Sequence, residues 1–230
     1  LSSLLMRFRK EKALSAIFIT GLPEIEYNDK QIIMAELMSL AYAFLVGEPF
    51  QYLQQNNSKL VARISPRAGY EDSQSGLSRG HFGWPTDDRI FSSEYRTEWI
   101  QLLGVYNPGQ SQTILSAIDD IIKQLSRATL STLMDKRFEV KMPTSFGFKH
   151  NIWSEPCSLI WVNENGHYEV GVPSYHVKVI EDQDVQAKNA LGEFLAAVDA
   201  CKQGVNLTSN SLLIFNNNRL LHGRSPIVGD

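Results

Sequence analysis

The sequence predicts a mixed, mainly β fold, a sandwich or jelly roll of strands wrapped by helices. Many short apolar segments are separated by strong turn signals, such as Asn-Pro-Gly at residues 107–109 and Asn-Glu-Asn-Gly at residues 163–166. Three or four longer segments instead repeat apolar residues at helical spacing. Hydrophobic residues make up 43% of the chain and aromatic residues 10%, which is enough for a packed core.

Length and composition predict one domain and exclude several classes of function. The 230 residues show no linker, so we expect one domain over residues 1–230 and leave open that it is incomplete at both ends. A net charge of −3 gives no indication of binding to nucleic acid or to an anionic membrane. No apolar run approaches the roughly 18–20 residues of a membrane span. The two cysteines, Cys157 and Cys201, fit a reduced, cytoplasmic protein, and one structural disulfide is also compatible with them. These features leave the oligomeric state open.

The first half of the chain contains one predicted helix between short strands. Ala16–Ile19 is an apolar, strand-like segment. In residues 29–45 apolar side chains recur at helical spacing, which predicts an amphipathic helix with Asp29 as its N-cap. Residues 59–64 are predicted to form a short strand. The polar loop at residues 65–80 is long enough to be mobile or functional.

The second half alternates predicted strands and helices. Strands are expected at residues 99–105, 138–142, 157–162, 168–172 and 212–215. Helices are expected at residues 118–125, 130–134 and 184–201. Thr113 starts either a strand or a helix. The Asn-Glu-Asn-Gly turn predicts that the strands on either side of it form a hairpin.

The stretch from Ser211 to Ile227 gives the first chemical signal. Its apolar run at residues 212–215 is typical of a buried strand, and the three asparagines that follow favour a turn. The segment then reaches His222, followed by Gly-Arg. Such an arm would present one imidazole at its tip. From these residues alone, a hairpin with a surface histidine is an equally good interpretation.

This stretch resembles the C-terminal iron-histidine segment of the clavaminate synthase-like (TauD-type) branch of the Fe(II)/2-oxoglutarate-dependent oxygenases. The resemblance runs from about Leu45 to the end, and its specific points are SQSG at residues 73–76, W-x-T-D-D-x-x-F from Trp84, and NNNRLLHGR at residues 216–224. It implies a double-stranded β-helix core flanked by helices, with Fe(II) as cofactor and 2-oxoglutarate as co-substrate. The implied reaction, of a kind found in secondary metabolism, is hydroxylation of a free amino acid or a closely related small molecule.

The resemblance also implies a set of metal ligands. A non-haem Fe(II) site of this kind uses two imidazoles and one carboxylate on one face of the metal. Asp87 matches the carboxylate and His222 the distal imidazole. Pro85 stands where the family has its first histidine, and proline has no side-chain donor atom. His81 would supply the missing nitrogen if the loop before Pro85 folds back.

Two other functions remain open at this point. His81-x-Gly83 resembles the His-x-Gly pattern of the Fe(II)/2-oxoglutarate halogenases, in which glycine leaves a coordination position for chloride. A chain without its third ligand would instead be an iron-deficient family member that binds a small molecule or a protein partner. Metal content separates both enzymes from the binding protein, and chloride dependence separates the two enzymes.

Several further residues are candidates for binding the co-substrate or the substrate. By resemblance, Thr113 would hold a carboxylate of 2-oxoglutarate, and Arg224 would support the turn or contact a carboxylate. The co-substrate arginine of the family would lie beyond residue 230. Gln74 would meet the α-amino group of an amino-acid substrate. Asp88 and Arg89 would contact a charged substrate, or they are solvated turn charges.

Overall fold

The computed structural model describes residues 1–10, 14–53, 59–69, 78–81, 83, 85–143, 146, 152–173 and 176–228. Within these ranges the helices are α1 (Ser2–Lys10), α2 (Asp29–Val46), α3 (Ile118–Gln124), α4 (Arg127–Met134) and α5 (Val185–Ala200). The strands are β1 (Ala16–Ile19), β2 (Trp99–Leu103), β3 (Gln112–Ala117), β4 (Phe138–Val140), β5 (Ile160–Val162), β6 (Tyr168–Val170), β7 (Val177–Val179), β8 (Gln203–Asn206), β9 (Leu212–Asn216) and β10 (Leu220–Arg224).

Two antiparallel sheets form the centre of the molecule. One has the strand order β1-β9-β2, and the other has the order β10-β3-β8. The pairs β4–β7 and β5–β6 form two further ladders. Leu213 and Phe215 of β9 pack with Leu115 of β3 and Leu220 of β10, so the two sheets share one core.

The strand β9 is buried on both faces, which explains its unbroken apolar run. Side chains of a strand alternate between its two faces. Leu212 and Ile214 pack on one side with residues of α1, including Phe8. Leu213 and Phe215 point to the other side, into the core between the sheets. A strand in this position contains consecutive apolar residues instead of alternating ones.

A second, larger core lies under the helices. Phe194 of α5 and Leu133 of α4 pack there against Phe138 of β4, Ile160 of β5 and Val170 of β6. All five side chains are fully buried or nearly so. This core fixes the β5–β6 hairpin against the helical layer. None of the helices in the described ranges is long and apolar enough to span a membrane.

The mixed architecture of sheets and helices is as predicted, but several elements differ. Residues 59–64 form no strand; Leu60 and Ile64 are 47% and 59% exposed, and in the described part of the chain no strand pairs with this segment. The N-cap of α2 is Asn28 and not Asp29, because the Asn28 side chain accepts a hydrogen bond from the Gln31 N–H (3.0 Å). The helix α1 and the short strands β7 and β8 were not predicted.

The arm that ends in His222 is also not a hairpin. Its two strands belong to different sheets, since β9 pairs with β1 and β2 while β10 pairs with β3. The turn at residues 217–219 therefore crosses from one sheet to the other. His222 lies in the middle of β10, opposite Leu115, and not at the tip of the arm. Its side chain is only 12% exposed, so the interpretation as a surface histidine is wrong.

Candidate functional site

The position of the His222 imidazole is fixed because backbone hydrogen bonds hold β10 along both of its edges. On one side β10 pairs with β3. On the other side, the backbone N–H of His222 donates to the carbonyl oxygen of Pro85 (2.9 Å), which brings residues 85–87 alongside the strand. The His222 ring also contacts Phe215, with 5.1 Å between the ring centroids. The imidazole is thus held between the sheet core and the Pro85 segment.

Asp87 and His222 form the central pair of the site. The Asp87 Oδ2 atom lies 3.8 Å from His222 Nε2, too far for a hydrogen bond. A metal ion binds nitrogen and oxygen donors at about 2.0–2.2 Å, so one ion can contact two atoms at this separation. Pro85, at the position of the first histidine of the resembling family, adds no side-chain donor to this pair. The pair therefore fits two of the three protein ligands of a non-haem iron site.

The two side chains are in the protonation states that a metal requires. Desolvation raises the pKa of Asp87 to about 6, although half of its side-chain surface is accessible. Burial lowers the pKa of His222 to about 4, an effect that the nearby Asp88 carboxylate opposes. At neutral pH the carboxylate is mostly ionised and the imidazole is neutral. Both groups can then donate a lone pair.

Asn217 fixes the backbone of Asp87 to the arm. The Asp87 N–H donates to Asn217 Oδ1 (2.8 Å), and Asn217 Nδ2 donates to the carbonyl oxygens of Asp87 (3.0 Å) and Thr97 (2.9 Å). Asn217 is fully buried. The turn between β9 and β10 thus holds both members of the pair, one through this amide and the other through β10. The sequence identified the three asparagines only as turn residues.

Thr86 ties the same segment to the end of β6. Its N–H donates to the carbonyl oxygen of Val172 (2.8 Å), and its hydroxyl accepts from the Val172 N–H (2.9 Å). Thr86 is 3% exposed, so this reciprocal pair is shielded from water. Thr86 belongs to the W-x-T-D-D-x-x-F pattern, but this pattern did not predict that its hydrogen-bond partner is Val172.

Asp88 is occupied within its own turn. It has a positive φ of 61°, which is uncommon for a residue other than glycine, and its carboxylate accepts from the Thr97 hydroxyl. Burial, together with the Asp87 carboxylate, raises the pKa of Asp88 to about 6. Asp88 is only 7% exposed, and its contact with Thr97 gives it a structural role in the turn. Its predicted contact with a substrate stays a prediction.

Arg89 and Arg96 lie over one indole ring. The Cζ atoms of the two residues are 4.7 Å and 5.3 Å from the centroid of Trp161. Trp161 Nε1 donates to Glu169 Oε2 (2.9 Å), which fixes the ring in place. Burial and the charge of Arg89 lower the pKa of Arg96 to about 10. Arg89 is therefore not a solvated turn charge, and nothing in the sequence linked it to Trp161.

The remaining predicted ligands do not join the pair. His81 is exposed, and the described residues contain no group of three or more His, Cys, Asp or Glu side chains that could hold a metal. His81 is thus not gathered with Asp87 and His222, and its role as a ligand stays a prediction. Gln74 lies outside the described residues, as does Trp84.

Thr113 and Arg224 face each other across β3 and β10. They are paired in register, two residues from the pair formed by Leu115 and His222. Arg224 donates to the carbonyl oxygen of Gly80 (3.1 Å) and to that of Ser78, so it supports the segment before His81. The predicted roles of Thr113 and Arg224 toward 2-oxoglutarate stay predictions. Cys157 and Cys201 are both free thiols.

The sequence is similar to that of a curated protein. No family model matches the chain. Enduracididine beta-hydroxylase from Streptomyces hygroscopicus is 23% identical over 209 residues, which cover 80% of this chain and 59% of the relative. The chain therefore spans about three fifths of the length of that protein.

Solved structures agree with the fold over nearly the whole chain. Asparagine oxygenase, solved with Fe(II), 2S,3S-3-hydroxyasparagine and succinate, gives a TM-score of 0.82 at 20% identity and covers 99% of this chain and 74% of its own. The non-heme iron oxygenase OrfP, solved with Fe, succinate and (3S)-hydroxy-L-Arg, gives a TM-score of 0.83 at 20% identity. This match covers 99% of this chain and 76% of the OrfP chain. This chain has the fold of the non-heme iron oxygenases. The predicted jelly-roll core with flanking helices is confirmed.

Proposed function

We propose that this chain is an Fe(II)/2-oxoglutarate-dependent oxygenase that hydroxylates a free amino acid, or a close relative of one, at its β-carbon (C3). The observation that carries the proposal is the Asp87–His222 pair, 3.8 Å apart, within this fold. The relative is named a beta-hydroxylase, and the two structural neighbours hold 3-hydroxylated asparagine and arginine. Asparagine and arginine share a nitrogen-containing polar side chain, so substrates of this type are the first to test.

The residues of the chain would prepare the site for the metal. Fe(II), 2-oxoglutarate and dioxygen would supply the oxidising chemistry, in which the co-substrate loses CO2 and takes one oxygen atom to become succinate, while the other oxygen atom enters a C–H bond. Asp87 offers an anionic oxygen and His222 a neutral nitrogen. Asn217 and Thr86 hold the Asp87 segment in place through four hydrogen bonds with Asp87 and Val172. Prealigned ligands avoid the cost of reorganising the site when the metal binds.

Pro85 supports a second candidate, a binding protein without iron. A site with one carboxylate and one imidazole lacks the third donor of the usual set of two histidines and a carboxylate. The fold would then bind an amino acid or a related small molecule without oxidising it. The halogenase alternative requires His81 beside His222, whereas the described residues contain no group of three or more His, Cys, Asp or Glu side chains that could hold a metal.

Anaerobic reconstitution with Fe(II), followed by addition of 2-oxoglutarate, an amino acid and air, tests these candidates. We expect succinate to form from 2-oxoglutarate only when iron and a suitable amino acid are present, with a product that contains one additional oxygen atom. Asp87→Asn and His222→Gln should abolish iron-dependent turnover. The matched controls, Asp182→Asn and His167→Gln, lie outside the site and should behave like the unmodified protein.

The other outcomes separate the alternatives. Amino-acid binding without iron binding or succinate would support the binding protein and overturn the proposed oxygenase. A chlorinated product that forms only in the presence of chloride would instead support the halogenase.

A further inference from the structure

Arg89 connects the turn of Asp87 with the β5–β6 hairpin. It leaves the turn two residues after Asp87 and crosses to the hairpin, where its guanidinium donates to the carbonyl oxygen of Ser158 (2.8 Å). The same guanidinium lies 4.7 Å from the centroid of Trp161. A hydrogen bond and a cation–π contact therefore act on one side chain. Because this end is fixed, the stem of Arg89 has little freedom to move away from the hairpin.

Gly171 provides the space that the Arg89 stem occupies. A Cβ atom at this position would lie 1.9 Å from Arg89 Cδ, 2.3 Å from Nε and 2.9 Å from Cγ. These separations are far shorter than the 3.5–4.0 Å of normal carbon contacts. Gly171 does not have a positive φ, so its backbone conformation is open to other residues. The need for glycine comes from Arg89.

The contact between Arg89 and Gly171 lies next to a second contact of the same turn. Thr86 pairs with Val172, the residue after Gly171, through two hydrogen bonds. Asp87 is thus flanked on one side by Thr86 and on the other by Arg89, and both reach the segment that follows β6. These contacts hold the chain on both sides of Asp87 against that segment.

We propose that Arg89 is a positioning residue, which fixes the turn that presents Asp87 to His222 by seating its stem against Gly171 and its guanidinium on Trp161. The β5–β6 hairpin then supports one metal ligand through Arg89, while β10 carries the other. This inference deepens the proposed function and rests on Asp87 as a metal ligand. It assigns Gly171 a defined role, which is to admit the arginine.

A double-mutant cycle between Arg89 and Gly171 tests the inference. Gly171→Ala should displace the arginine, and Arg89→Ala should remove it. Each change should weaken Co(II) affinity by about 10–100-fold, the usual effect of losing a residue that orients a ligand. In the double variant the added methyl group has nothing to displace. Its affinity should therefore equal that of Arg89→Ala alone, because the two effects share one cause.

The readouts distinguish positioning from general destabilisation. Co(II) affinity is measured by visible absorption well below the unfolding temperature, and amide hydrogen exchange is measured for residues 86–90. We expect Gly171→Ala to increase exchange in this segment, while the core strand β9 stays protected. Arg89→Lys, which keeps the stem and the positive charge, should recover part of the affinity. Gly192→Ala is the control, because a Cβ atom there meets nothing within 4 Å.

Each result decides the inference. Additive losses in the double variant, or a Gly171→Ala variant with unchanged affinity and exchange, would overturn it. If the unmodified protein binds no Co(II), the proposed function fails. Hydrogen exchange then still shows whether Arg89 and Gly171 fix the turn, since that readout needs no metal.

Discussion

Pro85 contributes to the site through its backbone and not through its side chain. Its carbonyl oxygen accepts the His222 N–H, a contact that any residue at this position can make. We expect a donor side chain at position 85 to lie near Asp87, because this backbone contact holds position 85 against the strand that carries His222. Proline has no side-chain donor, so the third ligand that the family resemblance implies is absent at this position.

Restoring a histidine at position 85 should therefore strengthen metal binding. We expect Pro85→His to raise Fe(II) affinity by about tenfold or more and to raise 2-oxoglutarate turnover with it. His81→Ala should leave both unchanged, because His81 is not gathered with Asp87 and His222. Equilibrium dialysis under anaerobic conditions measures the affinity. If His81→Ala abolishes iron binding and Pro85→His has no effect, then His81 is the ligand.

Thr113 is the residue to test for the co-substrate. It is half-buried on β3, opposite Arg224 and close to the strand position that faces His222. If its hydroxyl donates to a carboxylate of 2-oxoglutarate, Thr113→Val should weaken co-substrate binding by about 1–3 kcal/mol, the cost of leaving a charged group unpaired. Calorimetric titration measures this change. Thr208→Val, on an exposed loop, is the matched control, and equal affinities in both variants would remove Thr113 from the site.

The sequence predicted those helices and strands whose apolar spacing is visible within a short segment. The unbroken apolar run of β9 and the helical spacing of α5 could be read from the sequence, since burial imposes those periods. The helix α2 forms where predicted, but its predicted amphipathic character is wrong, because only Ala35 and Val46 are buried in it and Leu37 and Phe44 are exposed. Strands that depend on a distant partner could not be read from the sequence. Residues 59–64 have the composition of a strand but lack a partner in the described chain, whereas β7 and β8, of three and four residues, are strands because they pair with β4 and β3.

The same limit applies to the site. Asp87 and His222 could be predicted because each belongs to a short motif. The amide of Asn217 could not, because it bonds to a residue 130 positions away in the chain. Only the folded structure shows that this asparagine, the middle one of three, is the buried one.

The turn between β9 and β10 gives a prediction at this scale. Asn217→Ala would leave the Asp87 N–H and the carbonyl oxygens of Asp87 and Thr97, all partly buried, without their partner. We expect the free energy of unfolding to fall by about 3 kcal/mol, which is the lower end of the cost of about 1–3 kcal/mol for each of three unsatisfied groups, because these groups are only partly buried. Asn218→Ala, whose side chain makes no hydrogen bond within the described residues, should change it by less than about 0.5 kcal/mol. Urea unfolding followed by circular dichroism compares the two, and equal losses would contradict this role for Asn217.

At the scale of the whole molecule, the site joins parts of the chain that are otherwise separate. His222 is on a strand of one sheet, and Asp87 is on a turn held by Asn217, by Val172 after β6 and, through Arg89, by Ser158 before β5. A ligand that contacts both members of the pair would link these parts. It would bind the folded state and not the unfolded chain, where the two residues are far apart.

Metal binding should therefore raise the thermal stability of the whole domain. A ligand at about 100 times its dissociation constant adds about 2.7 kcal/mol. For a domain of this size, each kcal/mol raises the midpoint of unfolding by about 2–4 °C. We thus expect Mn(II), a redox-stable substitute for Fe(II), to raise the midpoint by about 5–10 °C in scanning calorimetry. Asp87→Asn should remove this rise, whereas Asp182→Asn should keep it. A rise with amino acids but none with Mn(II), in either the absence or the presence of 2-oxoglutarate, would identify the chain as a binding protein that does not hold the metal.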